Sequence, residues 1–410
     1  MAYTAPGVYV EETPSAIKPI AGVGTSTAAF LGIIPDSIKV PESNPAFNPA
    51  KPEAADNQPA LLKDFALPAA AGQIKMCTSF GEFARHFGDF SSDSGQSHLA
   101  HAVYGFFNNG GTRCYVVREK DTAQIGASLK KLSAVDDVSI VAAPGIVDAG
   151  VRDAVTKHCR VDTGDRIAIL DPPETVDDLD TLDPANAKMV SPAASDYVAY
   201  YFPWLEVFDP ATKLQKPSGT GRIYVPPSGH IAGIYARVDA ERGVHKAPAN
   251  EPVMGALGLK YSLGRPHQES LNPAGVNVIR SLGGNIRVWG ARTLGGDRNL
   301  DFKYVSVRRL FLFLRESIDQ GTQWIVFEPN DARLWAKITR NVSAFLTTVW
   351  RDGALFGATP QEAFYVKCDA ETNPPEVRDL GQVITEIGVA VVKPAEFVIF
   401  RISQWAGPGK

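Results

Sequence analysis

Ser228, His230 and Asp239 fall in one short stretch of the chain and supply the residue types of a hydrolase triad: a hydroxyl nucleophile, a base and an orienting carboxylate. No G-x-S-x-G elbow surrounds the serine, and closeness along the chain does not make triad geometry, so a helix N-cap is the better reading of Ser228. His98 and His101 are spaced to share one face of a helix, but no H-E-x-x-H context or third ligand accompanies them, and they read as a surface or interface pair. The run GVGTST from Gly22 to Thr27 begins like a dinucleotide fingerprint. It lacks the third glycine and precedes a strand where that fingerprint follows one, which favours a flexible hinge. The pairs Gly283, Gly284 and Gly295, Gly296 have no Gly-Lys-Ser/Thr after them and read as turns. The acidic cluster Asp177, Asp178, Asp180 and Asp183 lacks the glycine and closing glutamate of a calcium loop and reads as a solvated loop. Cys77, Cys114, Cys159 and Cys368 are far apart without C-x-x-C spacing, which suggests neither a zinc site nor a disulfide framework but reduced structural thiols. Catalytic, cofactor and metal residues are therefore expected to be none, with a hydrolase using Ser228 and His230 as the alternative.

The elements that position these residues are bounded by composition. A chain of 410 residues has a prior of two to four compact units. With 44% apolar and 21% charged residues, wholesale disorder and coiled coil are both disfavoured. A net charge of −4 supplies no field to hold a polynucleotide, so no direct nucleic-acid partner is expected. No apolar run approaches the ~18 residues of a membrane span, and Met1 to Glu12 carries acid where a signal peptide needs basic residues, so no direct membrane contact is expected. The 36 glycines and 30 prolines favour turns and extended arms over long helices.

Along the chain, Pro6 to Glu12 alternates like a short strand, followed by the Pro- and Gly-punctuated tether Thr13 to Gly24. Ser26 to Ile34 reads as a buried strand and Pro35 to Ala71 as a surface insertion. Phe80, Phe83 and Phe87 mark a helix, and His98 to Phe107 a second. Helices and apolar strands then alternate: Cys114–Val117, Ala127–Leu132, Val138–Ala142, Ala149–Cys159 and Ile167–Leu170 imply an α/β layer with a largely parallel sheet. Tyr197–Val207 and Arg222–Val225 read as further strands, Ser228 to Ala240 as a helix, and Gly264 to Gly275 as an internal boundary. In the last third, two amphipathic helices carry Val307, Leu310, Phe311, Leu314 and Ile318, then Leu334, Trp335, Ile338, Val342, Phe345, Leu346 and Val349, with a strand expected between them at Gln323–Phe327. Ala363–Cys368, Val383–Val392 and Glu396–Ile402 read as three closing strands.

A strand held only by a tether exposes unpaired backbone groups and needs a partner sheet. If each copy donates a strand to a neighbour and receives one, the contact is heterologous and generates rings or helical lattices. The termini thus point to a polymer.

The chain resembles the contractile tail sheath family of phage tails, R-type pyocins and extracellular contractile injection systems. The resemblance rests on PGVYVEE at Pro6, GVGTSTAAFLG at Gly22, FFNNGGTRCYVVR at Phe106, PPSGHIAGIYARVDAERGVHKAPAN at Pro226 and RVWGARTL at Arg287. It continues through RRLFLFLRESIDQGTQWIVFEPND at Arg308, WRDGALFGATPQEAFYVKCD at Trp350 and IGVAVVKPAEFVIFRI at Ile387. It implies a mixed α/β sheath fold: an N-terminal arm and tether (1–24), an α/β N-terminal domain (25–263, with 35–71 variable), an α+β, tube-facing C-terminal domain (264–392) and a C-terminal arm (393–410). It implies an N-arm strand at Gly7, Val8, Tyr9, Val10 and Glu11 and a C-arm strand at Phe397, Val398, Ile399, Phe400 and Arg401. These join receiving strands of neighbouring copies at Phe364, Tyr365, Val366, Ile384, Glu386 and Ile387. The charged residues Asp331, Arg333, Lys337 and Arg340 are expected to face an inner tube. Further implied partners are a homo-polymer, baseplate and terminator or cap proteins, and sister sheath paralogues. Assembly is expected in the bacterial cytoplasm, within a phage tail or a released tail-like particle.

Overall fold

The structure is a computed structural model that describes residues 19–48, 50 and 57–401. The chain divides into a larger unit, residues 23–313 with 391–410, and a smaller one, residues 1–22 with 314–390.

The larger unit is built on a nine-stranded sheet. Its strands include β1 (Ala28–Ile33), and a separate hairpin follows as β2 (Ser37–Ser43) and β3 (Ala60–Ala66). Then come β4 (Lys75–Cys77), β5 (Cys114–Glu119), β6 (Ile140–Ala142), β7 (Ile167–Leu170) and β8 (Val198–Phe202). A three-stranded sheet takes β9 (Leu205–Phe208), β10 (Arg222–Val225) and β12 (Ala256–Leu259), while β11 (Glu251–Pro252), β13 (Val276–Leu282) and β14 (Asn285–Val288) complete the large sheet. The order is β11-β14-β13-β8-β7-β6-β1-β5-β4, parallel from β13 to β5 and antiparallel at both edges.

The central strands are buried nearly end to end, as a parallel sheet covered on both faces requires. Their alternation sorts side chains onto two cores. Ala28 and Phe30 of β1 and Ile167 and Ile169 of β7 face one, Ala29, Leu31, Ala168 and Leu170 the other. The first core is covered by α1 (Phe80–Phe87), α2 (Ser94–Asn108) and, after the crossovers α3 (Ile125–Leu132) and α4 (Ala149–Lys157) and the short α5 (Pro210–Gln215) between the antiparallel β9 and β10, by α6 (Ser228–Arg242). α3 and α4 cover the second. α2 and α6 approach closely because glycine lines the contact: a Cβ at Gly229 would lie 2.3 Å from the Ala102 backbone, and one at Gly233 2.4 Å from the Phe106 carbonyl oxygen.

Several expectations are corrected here. Pro35–Ala71 is not a structureless insertion, since β2 and β3 pair along their whole length from Ser37↔Ala66 to Ser43↔Ala60. Tyr197–Val207 is two strands of different sheets, separated at Pro203 and Trp204. Gly264–Gly275 lies inside the larger unit, holding α7 (Arg265–Leu271), and β13 after it joins the main sheet, so apolar pairing overrides the turn-rich composition. The run after Gly22 is anchored rather than hinged: Thr27 is 5% exposed and its carbonyl accepts from Ser139 and Ile140 backbone N–H at 3.0 and 3.2 Å. Gly283 and Gly284 are the two-residue hairpin turn of β13 and β14 with φ of 58° and 82°, as expected of a glycine pair there.

α8 (Val305–Thr322) runs through the division between the units. The smaller unit continues with a single 3₁₀ turn at Gln323–Ile325 in place of the expected strand. It then has α9 (Ala332–Arg351), α10 (Pro360–Ala363), β15 (Phe364–Lys367), α11 (Pro375–Asp379) and β16 (Glu386–Val389). α9 starts where Asp331 accepts from the Arg333 and Leu334 backbone N–H groups, and it buries Leu334, Trp335, Ile338, Val342, Phe345, Leu346 and Val349 on one stripe. In the tether, Ile20 is 8% exposed and fits against Gly321, where a Cβ would come within 2.7 Å of it.

Candidate functional site

The triad types do not come together. Ser228 is the first residue of α6 and not its cap; its hydroxyl donates to Asp171 Oδ2 at 2.6 Å and its backbone N–H to Asp171 Oδ1 at 2.8 Å. Asp171, at the end of β7, thereby satisfies a donor that the first turn of the helix leaves open. Burial pushes its pKa up to about 6 against the hydrogen bonds from Ser228 and Gly145. Asp239 is taken by Arg309, and the buried His230 has an Nδ1 without a hydrogen-bond partner. Burial also depresses the His230 pKa to about 3, so this imidazole stays neutral. His101 is buried and His98 half-buried: His98 packs edge-on against Trp204, and His101 Nε2 lies 3.2 Å from Asp209 Oδ1. Among the described residues no group of three or more His, Cys, Asp or Glu could hold a metal ion. The aspartates at 178 and 183 serve locally, Asp178 accepting from the Asp180 backbone and Asp183 pairing with Arg298 at 2.9 Å.

The residues expected to link copies and to face a tube lie elsewhere. β15 and β16 form a two-stranded antiparallel ladder in the register Phe364↔Val389, Tyr365↔Gly388, Val366↔Ile387 and Lys367↔Glu386. Among the described residues neither outer edge has a ladder partner. A ladder this small is marginal without further strands. Tyr365 lies over Gly388, where a Cβ would meet its ring at 2.1 Å. Ile384 falls outside the strand; its backbone N–H donates to Asn373 Oδ1 at 2.7 Å and its carbonyl accepts from Asn373 Nδ2 at 3.0 Å.

The expected N-arm strand, Gly7 to Glu11, lies outside the described residues. The C-arm is described to Arg401 and, among the described residues, forms no strand. Phe397, Val398, Ile399 and Phe400 are 71%, 68%, 78% and 83% exposed, an apolar run in water. Exposed runs of this kind mark binding surfaces.

On α9, Arg333, Lys337 and Arg340 share one exposed face and form no ion pair among the described residues, whereas Asp331 is spent on the helix cap. The face is therefore a basic stripe.

Sequence reasoning missed two buried arginines. Arg309 lies over the Tyr235 ring, forks onto Asp239 and donates to the Thr25 carbonyl at 2.8 Å. Arg292 forks onto Glu396, 104 positions away. No local pattern announces partners so distant; a lone acid inside the apolar run VVKPAEFVIF was the available signal.

Comparison with known proteins closes the question of kinship. Residues 119–294 match the phage tail sheath protein central domain and residues 297–404 the phage tail sheath C-terminal domain. The tail sheath protein of Burkholderia phage BcepMu is 27% identical over 51% of this chain and 43% of its own length. A putative prophage major tail sheath protein of Pseudomonas aeruginosa is 27% identical over 58% of each. The chain thus spans about half the length of the curated relatives it matches. Among solved structures, the PVC extracellular contractile injection system sheath in its contracted state superposes with a TM-score of 0.75 at 27% identity, covering 99% of both chains. The contracted helical sheath of the anti-feeding prophage gives 0.72 at 27%, covering 98% of this chain and 100% of the other. With two consecutive sheath domains matched over most of its length and the whole fold shared with injection-system sheaths, the chain belongs to the contractile tail sheath family.

Proposed function

We propose that this chain is the structural subunit of a contractile sheath, polymerising around an inner tube in an extended state and contracting to drive the tube through a target envelope. The single observation that carries the reading is one chain holding both halves of a link: an exposed apolar segment, Phe397 to Phe400, and a two-stranded ladder with no strand partner at either edge among the described residues. Donated to the ladder of another copy, the segment gains backbone hydrogen bonds at roughly 0.5 to 1.5 kcal/mol each and buries side chains at about 1.5 to 3 kcal/mol each. The Gly7–Glu11 segment completes the sheet from a second neighbour. Links of this kind persist while bodies rotate about the tether and the Lys393–Ala395 turn. The driving force is the larger burial between bodies in the contracted state, released over a kinetic barrier.

The basic stripe of Arg333, Lys337 and Arg340 suits an acidic inner tube, held by polar contacts that let go on contraction. Baseplate and cap proteins terminate the polymer, sister paralogues share it, and assembly takes place in the bacterial cytoplasm. In this reading the protein is no enzyme; the hydrolase alternative is disfavoured by Asp239 being paired with Arg309 and Ser228 with Asp171. Expression of the full chain with its tube protein, imaged by cryo-electron microscopy, tests the proposal. Tubes sheathed by a helical lattice whose sheets contain strands of three copies are expected; soluble monomers in the presence of tubes would overturn it.

A further inference from the structure

Glu396 is the last residue held by its own body before the exposed run begins. Its Oε1 accepts from Arg292 Nε at 2.8 Å and from Asn272 Nδ2 at 2.7 Å, and its Oε2 accepts from Arg292 Nη2 at 2.8 Å and from the Tyr304 hydroxyl at 2.9 Å. Arg292 is 2% exposed, and its Nη1 is committed to the Asn272 carbonyl and to Asp297. Its backbone is fixed as well: its N–H donates to Asn277 Oδ1 and its carbonyl accepts from Asn277 Nδ2, both at 2.7 Å. Asn272, Arg292 and Tyr304 thus form a socket for Glu396, with Asn277 and Asp297 holding Arg292 in place. Neither the turn before Glu396 nor the run after it shows a backbone hydrogen bond among the described residues. One carboxylate fixes the segment.

The other terminus is rooted the same way. Thr25, where the tether meets the body, gives its carbonyl to Arg309 and its hydroxyl to Asp239. Both roots belong to the larger unit, while the β15–β16 ladder belongs to the smaller one.

The geometry points to Glu396 as a positioning residue for sheath assembly: seated in the Arg292 socket, it fixes the point from which the C-terminal strand is donated and so sets the spacing between linked copies. This rests on the strand-donation reading above. Freed at its root, the strand would gain at least the three residues Lys393 to Ala395 of slack, and copies could link at more than one separation. A bidentate guanidinium–carboxylate pair suits the role because it fixes orientation as well as distance.

The test uses the full chain with its tube protein and the variants Glu396→Ala, Glu396→Gln and a deletion of 397–410. Each is examined for melting temperature and for the rise and twist of assembled sheaths, and the two Glu396 variants also for mobility of a spin label on Ile399→Cys in the monomer. Glu396→Ala is expected to lower the melting temperature less than Arg292→Ala, because Arg292 keeps Asp297, to sharpen the label spectrum, and to give either no regular sheath or a broadened spread of rise and twist. Glu396→Gln, which keeps the length without the charge, should fall between. If Glu396→Ala builds sheaths of wild-type rise and twist while the deletion builds none, the positioning role is overturned and strand donation stands. If the deletion also builds normal sheaths, strand donation itself fails. A melting temperature lowered as far in Glu396→Ala as in Arg292→Ala would make Glu396 a strut of the body and overturn the role too.

Discussion

Arg309 and Asp239 form a buried fork, Nη1 to Oδ1 at 2.8 Å and Nη2 to Oδ2 at 2.6 Å, with side chains 3% and 6% exposed. Removing one partner strands the other charge away from water, which costs about 3 to 5 kcal/mol. Arg309→Met is therefore expected to lower the unfolding free energy by that amount in urea titrations, and Asp239→Leu similarly. The double variant should recover most of the loss, since no buried charge is left uncompensated.

Acidification acts through two histidines. Burial depresses His158 to about 4, where neither ring nitrogen finds a partner, and His230 to about 3, from the ordinary 6.5. Such a group binds protons more readily in the unfolded chain, so its stabilisation is full above pH 6.5 and is lost as the pH falls toward the folded values. Between pH 7 and 5 each loses about 2 kcal/mol. Asp171, raised to about 6, works the other way and returns about 1 kcal/mol over the same window. A net loss of about 3 kcal/mol is expected by denaturant titration at the two pH values, most of it abolished in His158→Gln.

The α2–α6 contact tolerates no side chain at Gly229. Because an added Cβ would lie 2.3 Å from the Ala102 Cα and carbonyl oxygen, backbone must move, and Gly229→Ala is expected to cost about 1 to 3 kcal/mol or more. Gly126 and Gly353, whose Cβ would meet nothing within 4 Å, differ in φ: Gly126→Ala, within α3, should stabilise by about 0.5 to 1 kcal/mol, whereas Gly353→Ala is strained at φ 81°. Thermal melts of the three variants give the order.

Reversing Lys337 and Arg340 to glutamate leaves the monomer's melting temperature unchanged, since both are exposed and unpaired among the described residues. If this face meets the tube as proposed, a weak contact repeated along a polymer multiplies the loss. Sheathed tubes are expected to vanish from micrographs of the double variant; normal particles would remove this face from the tube interface.

The sheet was legible where one signal sufficed. Ile167–Leu170 and Arg222–Val225 are short apolar or alternating runs bounded by turns, and the structure has those strands. The helices carrying Phe83, Leu310 and Leu346 followed from their periodicity. Composition misled elsewhere: the prolines at 41 and 59 suggested a loose insertion, yet Pro41 sits within β2 opposite Leu62. Ser228 looked like a cap because the distant Asp171 that caps in its place leaves no trace in the local sequence. Similarly, the exposed run at Phe397 was readable, while the Arg292 socket at its root came only from contacts across 104 positions.

One feature of the sheet edge bears on durability. Cys77 and Cys114 face each other directly across β4 and β5, and all four cysteines are buried and unbridged. Thiol exchange and oxidation proceed through the thiolate. Burial pushes the Cys77 thiol up to about 11 and Cys114 well above its ordinary value, so at neutral pH roughly one Cys77 in ten thousand is ionised. The pair is near enough to cross-link but chemically dormant, and copies assembled as proposed would weather an oxidising medium without the stray covalent bonds that could seize parts meant to move.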